Sequence, residues 1–196
     1  MVFTGRPNAG KSSLIREITG LDVRIGKRPG TTGWISEYPL SKGLILVDTP
    51  GYGKTVRTTR RLQDERNHQT LYFMETNADK IALAVHVLDI STFSEVTWRL
   101  ANKNIAPVDV DIIQLMKSFL GDFPLVAANK IDKANKSEID ANLKEFSQYF
   151  GSIYHSAIGT SIYPVSARTG EGLSPLKSAI REKLMIKGFR IPFRSN

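Results

Sequence analysis

The sequence predicts an α/β fold, doubly wound around a mostly parallel sheet with one antiparallel edge strand. Two observations carry that prediction. Near-continuous apolar runs alternate with stretches whose apolar residues recur at three- and four-residue spacing. Runs so rich in Val, Ile, Leu and Ala are buried on both faces, which calls for helices on both sides of a mainly parallel sheet.

Element by element, "VFTG" (2–5) is a short first strand, weakly anchored because it begins at Met1, and "SSLIREITG" (12–20) is a helix. Residues 34–40, "WISEYPL", alternate as a strand does, and "SKG" turns them back into "GLILVD" (43–48), an antiparallel hairpin at one sheet edge. Three further strands follow at 81–89, 124–130 and 161–167. Pro164 cannot donate to a ladder, so the last strand belongs at the other edge. Helical spacing marks 62–77, 108–120, 136–149 and 173–186. Residues 91–107 read as a connection with a short helix and no chemistry.

At 196 residues and 41% hydrophobic content, the chain suits one domain over 1–196. The absence of cysteine excludes disulfides and thiolate chemistry, and His68, His86 and His155 lack metal-ligand spacing, so they read as structural or surface residues. No apolar run approaches the roughly 20 residues that span a bilayer, and no signal core is visible. A soluble, cytoplasmic protein without membrane insertion is expected. Residues 1–70 carry 12 basic and 6 acidic side chains, residues 71–170 carry 9 and 11, and residues 171–196 carry 6 and 2. The two basic ends either solvate the surface or meet a polyanion.

The strongest motif is "GRPNAGKS", Gly5, Arg6, Pro7, Asn8, Ala9, Gly10, Lys11 and Ser12. It fits G-x-x-x-x-G-K-[ST] between a strand and a helix, where backbone N–H groups wrap a phosphate at a helix N-terminus. Lys11 would reach the terminal phosphates and the Ser12 hydroxyl would ligate Mg²⁺. "NKID", Asn129, Lys130, Ile131 and Asp132, follows a buried run. The Asp132 oxygens match the two donors on guanine's edge, whereas adenine would face the carboxylate with a lone pair. Asn129 would tie its loop to neighbouring backbone and the Lys130 stem would lie on the base. At the end of the last strand, Val165, Ser166 and Ala167 would bring the Ala167 N–H to the guanine O6.

Between these lie segments that would respond to a γ-phosphate. In "RPGTTG", Gly30, Thr31 and Thr32 place two adjacent hydroxyls, one of which would coordinate Mg²⁺ only when that phosphate is bound. "DTPG", Asp48, Thr49, Pro50 and Gly51, ends a strand with a carboxylate that can hold Mg²⁺ through water and with the Gly51 N–H facing the γ-phosphate. Lys11, Thr32 and Gly51 are the residues expected to act on the transferred group.

In this order the five motifs resemble the Ras-like superfamily of P-loop GTPases. "GRPNAGKSSL" looks like the TrmE, Era, EngA and EngB branch. "GKRPGTT" followed by "VDTPGYG" most resembles EngB (YihA-type), as does "PVDVDIIQLMKSF" before "PLVAANKID", and the resemblance covers essentially the whole chain. It implies a Ras-like P-loop GTPase domain that binds GTP and GDP with Mg²⁺, hydrolyses GTP slowly and switches in large ribosomal subunit assembly. Ribosomal RNA or the subunit precursor is the implied partner, with a link to cell division and septation; a monomer is expected. The alternative is a guanine-nucleotide-dependent interaction protein of division or membrane machinery, with incidental hydrolysis.

By position, Thr32 rather than Thr31 takes the Mg²⁺ role, while Gly33 departs from relatives that carry a basic or polar residue there. Asn8 either makes a turn or, as in potassium-dependent members of that branch, helps hold K⁺. Tyr52 stands where many GTPases carry the glutamine that orients the attacking water. Lys54, Arg57, Arg60 and Arg61 follow it directly and suit RNA phosphates. In the basic tail, 187–196, Phe189 and Phe193 either stack on bases between Lys187, Arg190 and Arg194 or pack on the body.

Overall fold

The computed structural model describes residues 1–23, 35–52, 60–102, 105–151 and 158–190. Its strands are β1 (Val2–Gly5), β2 (Ser36–Ser41), β3 (Leu44–Asp48), β4 (Ala84–Asp89), β5 (Leu125–Asn129) and β6 (Ile162–Pro164). The helices are α1 (Lys11–Thr19), α2 (Arg60–Thr76), α3 (Phe93–Ala101), α4 (Val108–Leu120), α5 (Lys136–Gln148) and α6 (Leu173–Ile186). The sheet order is β2-β3-β1-β4-β5-β6, with β2 antiparallel to β3 and every other neighbour parallel. The expected hairpin and the Pro164 strand occupy the two edges.

Helix ends follow local chemistry. Pro107 precedes α4 in an extended conformation, and Gly121 ends it in the left-handed region with its N–H on the Lys117 carbonyl. Asn135 and Glu138 close a reciprocal capping box at the start of α5. Residues 91–107 contain the nine-residue α3, which turns Phe93 and Thr97 inward and leaves Trp98 exposed.

Apolar clusters cover both faces of the sheet. One unites Phe3 and Val85 with Leu14 and Ile15 of α1 and Leu176 and Ile180 of α6. On the other face Val2, Val47 and Ala84 meet Met74 of α2 and Ile112 and Met116 of α4, while Leu88 and Val126 meet Phe93 of α3 and Phe146 of α5. The first strand is better anchored than its length suggests. It is central and fully buried, and Met1 donates its ammonium N–H to the Ile45 carbonyl at 2.9 Å.

Parallel strands bring their carboxyl ends to one side. The register sets Phe3 beside Asp48, Gly5 beside Val87 and Asp89 beside Asn129. The motif residues therefore converge where open α/β sheets bind ligands.

Candidate guanine-nucleotide site

The loop from Gly5 to Ser12 leaves β1 and enters α1. Asn8 adopts a left-handed φ of 67° and is exposed, so it does make a turn. Gly10 at the α1 N-cap leaves the first turn without a side-chain cap among the described residues, the arrangement in which helix N-terminal amides can meet an anion. A Cβ on Gly10 would stand 2.3 Å from Asn129 Nδ2, so the close approach of the two loops itself requires glycine.

Asn129 is the joint of the site. Its Nδ2 donates to the Ala9 carbonyl at 2.8 Å, and its Oδ1 accepts the Ala167 N–H at 2.9 Å. One buried amide thus ties the phosphate loop to the loop after β6, as the expected backbone tie requires. The Ala167 N–H, which the sequence reading reserves for the guanine O6, is engaged by Asn129 here.

Beside it, Ser166 donates its hydroxyl to Asp132 Oδ1 at 2.6 Å. That bond holds the Asp132 carboxyl below its usual range, against a smaller opposing effect of burial. Asp132 Oδ2 is buried and accepts no hydrogen bond from the described residues, with Arg168 at 3.6 Å. Lys130 takes a left-handed φ of 71° and donates to the Asp89 carboxylate, which also accepts the Ser91 hydroxyl at 2.7 Å. Gly10, Ser13, Asn129, Lys130, Asp132 and Ala167 line a cleft of about 360 Å³. Ile131 N–H reaches the Val165 carbonyl at 3.3 Å, closing the floor.

On the phosphate side, Lys11 donates to the Asp48 carboxylate inside the protein. Burial lowers the Lys11 pKa, and the Asp48 charge partly opposes that shift. Ser12 is half-buried at the start of α1. Thr49 turns its hydroxyl away onto the Phe3 carbonyl at 3.0 Å, and Pro50 is buried. Gly51 lies against the phosphate loop, where an added Cβ would meet Pro7 N at 2.8 Å.

Tyr52 does not project into the site. Its N–H donates to the Gly5 carbonyl at 2.9 Å, and its ring enters the cluster of Val2, Val47, Met74 and Met116. The phenol oxygen is buried without a hydrogen-bond partner among the described residues, and burial raises its pKa well above the ordinary value.

Gly30, Thr31, Thr32 and Gly33 lie outside the described residues, as do Lys54, Arg57, His155, Phe193, Arg194 and the side chains of Arg60 and Arg61. Phe189 packs against the α1–α6 cluster, which settles its alternatives in favour of packing. His86 is fully buried between Thr4 and Asp109, a satisfied structural histidine. Sequence reasoning missed Asp89 and named Ser166 without the bond its hydroxyl makes to Asp132. Asp89 alone carried a signal, as an acidic residue at a strand's carboxyl end.

Residues 1–130 match the family model described as "50S ribosome-binding GTPase". A probable GTP-binding protein EngB from Methanopyrus kandleri is 36% identical over 193 residues, 96% of this chain and 94% of that protein. The chain belongs to the EngB family. Another probable EngB protein, from Methanosarcina barkeri, is 36% identical over 186 residues, 94% of this chain and 87% of its own. A crystal structure of a probable EngB protein superposes with a TM-score of 0.81 at 32% identity, covering 94% of this chain and 98% of that one. A crystal structure of Aquifex aeolicus Era shares the fold, with a TM-score of 0.63 at 23% identity over 99% of this chain and 57% of that one. EngB membership makes this a P-loop GTPase of Ras-like fold. Among the described residues no helix is long and apolar enough to cross a membrane.

Proposed function

We propose that the chain is a guanine-nucleotide switch that binds GTP and GDP with Mg²⁺, hydrolyses GTP slowly and acts on a precursor of the large ribosomal subunit in the cytoplasm. The observation that carries this reading is the Asn129 joint. It sets Asp132, with one oxygen held by Ser166 and the other without a hydrogen bond among the described residues, beside the loop that carries Lys11.

The donor chemistry suits Mg²⁺. Asp48 is a carboxylate 2% exposed that already draws a cationic partner, and Ser12 adds a second hard oxygen nearby in the loop. When bound, the metal would neutralise charge on the phosphate oxygens. A triphosphate gives Lys11 a stronger anionic partner, so Lys11 would turn from Asp48 to the phosphates and free that carboxylate for the metal. Gly51, packed on Pro7, would offer its N–H to the γ-phosphate. Thr32 would close the site from the segment before β2.

Slow turnover follows from Tyr52, because a buried phenol cannot orient water as a glutamine amide does. The missing charge stabilisation would come from K⁺ held near Asn8, from a ribosomal surface, or from both. The family description, a 50S ribosome-binding GTPase, supports the partner. A role in division and septation would follow from the same switch.

Sedimentation of the protein with ribosomal subunits, in GDP and in a non-hydrolysable GTP analogue, tests this. Nucleotide-dependent co-migration with the large subunit is expected, weakening as salt rises. Absent or salt-insensitive association would discard the ribosomal role in favour of an interaction protein of division machinery.

A further inference from the structure

The buried face of the sheet between β1 and α4 holds a polar chain that the nucleotide site does not account for. Thr4 and His86 are register partners on adjacent strands, and Thr4 Oγ1 lies 3.0 Å from His86 Nδ1. On the other side of the ring, Nε2 lies 3.1 Å from Asp109 Oδ1, in the first turn of α4. Nε2 donates to the Asp109 carboxylate, and Nδ1 faces the Thr4 hydroxyl, which also reaches Met116 Sδ at 3.5 Å. All three residues are buried, and the chain leaves Asp109 one outward oxygen. That oxygen, Oδ2, stands 3.8 Å from a terminal nitrogen of Arg6, the second residue of the phosphate loop.

Between them lies a cleft of about 180 Å³, walled by Arg6, Pro7 and Ala9 of the loop and by Phe93, Pro107 and Asp109. On this flank the loop is therefore not packed against the body. It bears on Gly51 at Pro7 and on Asn129 at Ala9, and Arg6 reaches across the open side to a carboxylate whose direction the histidine sets.

We propose that Asp109, oriented by His86, is a positioning residue for the phosphate loop, tethering Arg6 across this cleft so that the loop holds its phosphate-binding shape. The tether rests on the nucleotide-site reading above. It joins that site to the first turn of α4, so displacement of this helix end loosens the grip on nucleotide. Arg6 itself need not touch the phosphates.

Release of N-methylanthraniloyl-GDP from the full chain tests it, by stopped-flow chase for wild type, Arg6→Ala, Arg6→Lys, Asp109→Asn and the double variant Arg6→Ala/Asp109→Asn. With Arg6 about a third exposed and its nitrogen 3.8 Å from the carboxylate, about two- to fivefold faster release is expected in Arg6→Ala and in Asp109→Asn. The double variant should be no faster than either single, and Arg6→Lys should stay near wild type. Arg6→Ala should also keep the wild-type melting temperature without nucleotide, which separates positioning from general stability. Unchanged release in Arg6→Ala, or multiplying effects in the double variant, would overturn the tether. If Asp109→Asn does not fold, the contrast between Arg6→Ala and Arg6→Lys still decides. Wild type that fails to bind the probe would sink the nucleotide-site reading and the tether with it, whereas binding with unchanged Arg6→Ala release sinks the tether alone.

Discussion

Lys11 and Asp48 form an ion pair inside the protein, 7% and 2% exposed, at the point where the phosphate loop meets the end of β3. Removing one partner leaves the other buried and uncompensated. Lys11→Ala should therefore abolish nucleotide binding and also destabilise the nucleotide-free protein by about 3 kcal/mol. Adding Asp48→Asn should restore much of that stability and none of the binding. Urea denaturation and equilibrium dialysis with GDP check the two halves. The pH dependence has a definite sign. Burial lowers the Lys11 pKa from its ordinary 10.5, so the unfolded chain holds that proton more tightly. The cost is fully present below the folded pKa and is relieved as pH rises toward 10.5. Relative to Lys11→Met, wild-type stability should climb across that alkaline window.

The Tyr52 ring fills a core cluster while its hydroxyl lacks a partner among the described residues. Tyr52→Phe should be neutral or stabilising by up to about 1 kcal/mol, because it removes an unsatisfied oxygen. Tyr52→Gln should destabilise by about 2 kcal/mol and leave GTP turnover no faster. Thermal melts and single-turnover hydrolysis measure both, and a faster Gln variant would contradict the buried placement.

At Gly51, a Cβ would meet Pro7 N and Cγ at 2.8 and 2.9 Å, so Gly51→Ala must push the segment off the phosphate loop. Hydrolysis should fall by about tenfold or more, with GDP affinity changed far less, since the contact serves the γ-phosphate side. Comparable losses in both would show that the contact holds the loop itself.

Ser166→Ala removes the hydroxyl that holds Asp132 in place. The carboxyl pKa should return toward its ordinary value, and GDP affinity should drop by about tenfold, the loss of one hydrogen bond to a charged acceptor. Asp132 is depressed, so its contribution is present above its ordinary pKa and lost as pH falls through the folded one. In Ser166→Ala that loss should begin at higher pH. Urea denaturation of the two proteins from pH 3 to 7 makes the comparison.

GTP turnover should be faster in K⁺ than in Na⁺ at equal ionic strength, and Asn8→Ala should erase the difference. Equal rates in the two salts would leave Asn8 with its turn alone.

The fold was legible wherever punctuation and period agreed. Pro107 and Gly121 bracket α4 at 108–120, and helical spacing located α6 at 173–186. Residues 91–107 were harder to read because α3 is only nine residues long and neither a proline nor a glycine marks its ends, Thr92 preceding it and Asn102 following it. Motif order told which of the described residues converge at the strands' carboxyl ends, but not how they pair. Lys11 finding Asp48 and Asn129 occupying the Ala167 N–H depend on which strand ends become neighbours, a consequence of sheet order, and Asp109 meets Arg6 because α4 packs against β4. The sequence marks Tyr52 as standing in place of a glutamine but does not give its direction; its N–H is held by the Gly5 carbonyl and its ring lies in the core.

The two outer strands share one property. β2 carries Pro39 and a register shift beside it, and β6 is three residues long and ends at Pro164. A kinked strand and a very short one are both poor templates for another chain's backbone. Growth of the sheet beyond six strands is discouraged at both margins, so encounters with other molecules, including other copies of this chain, fall to its loops and helices.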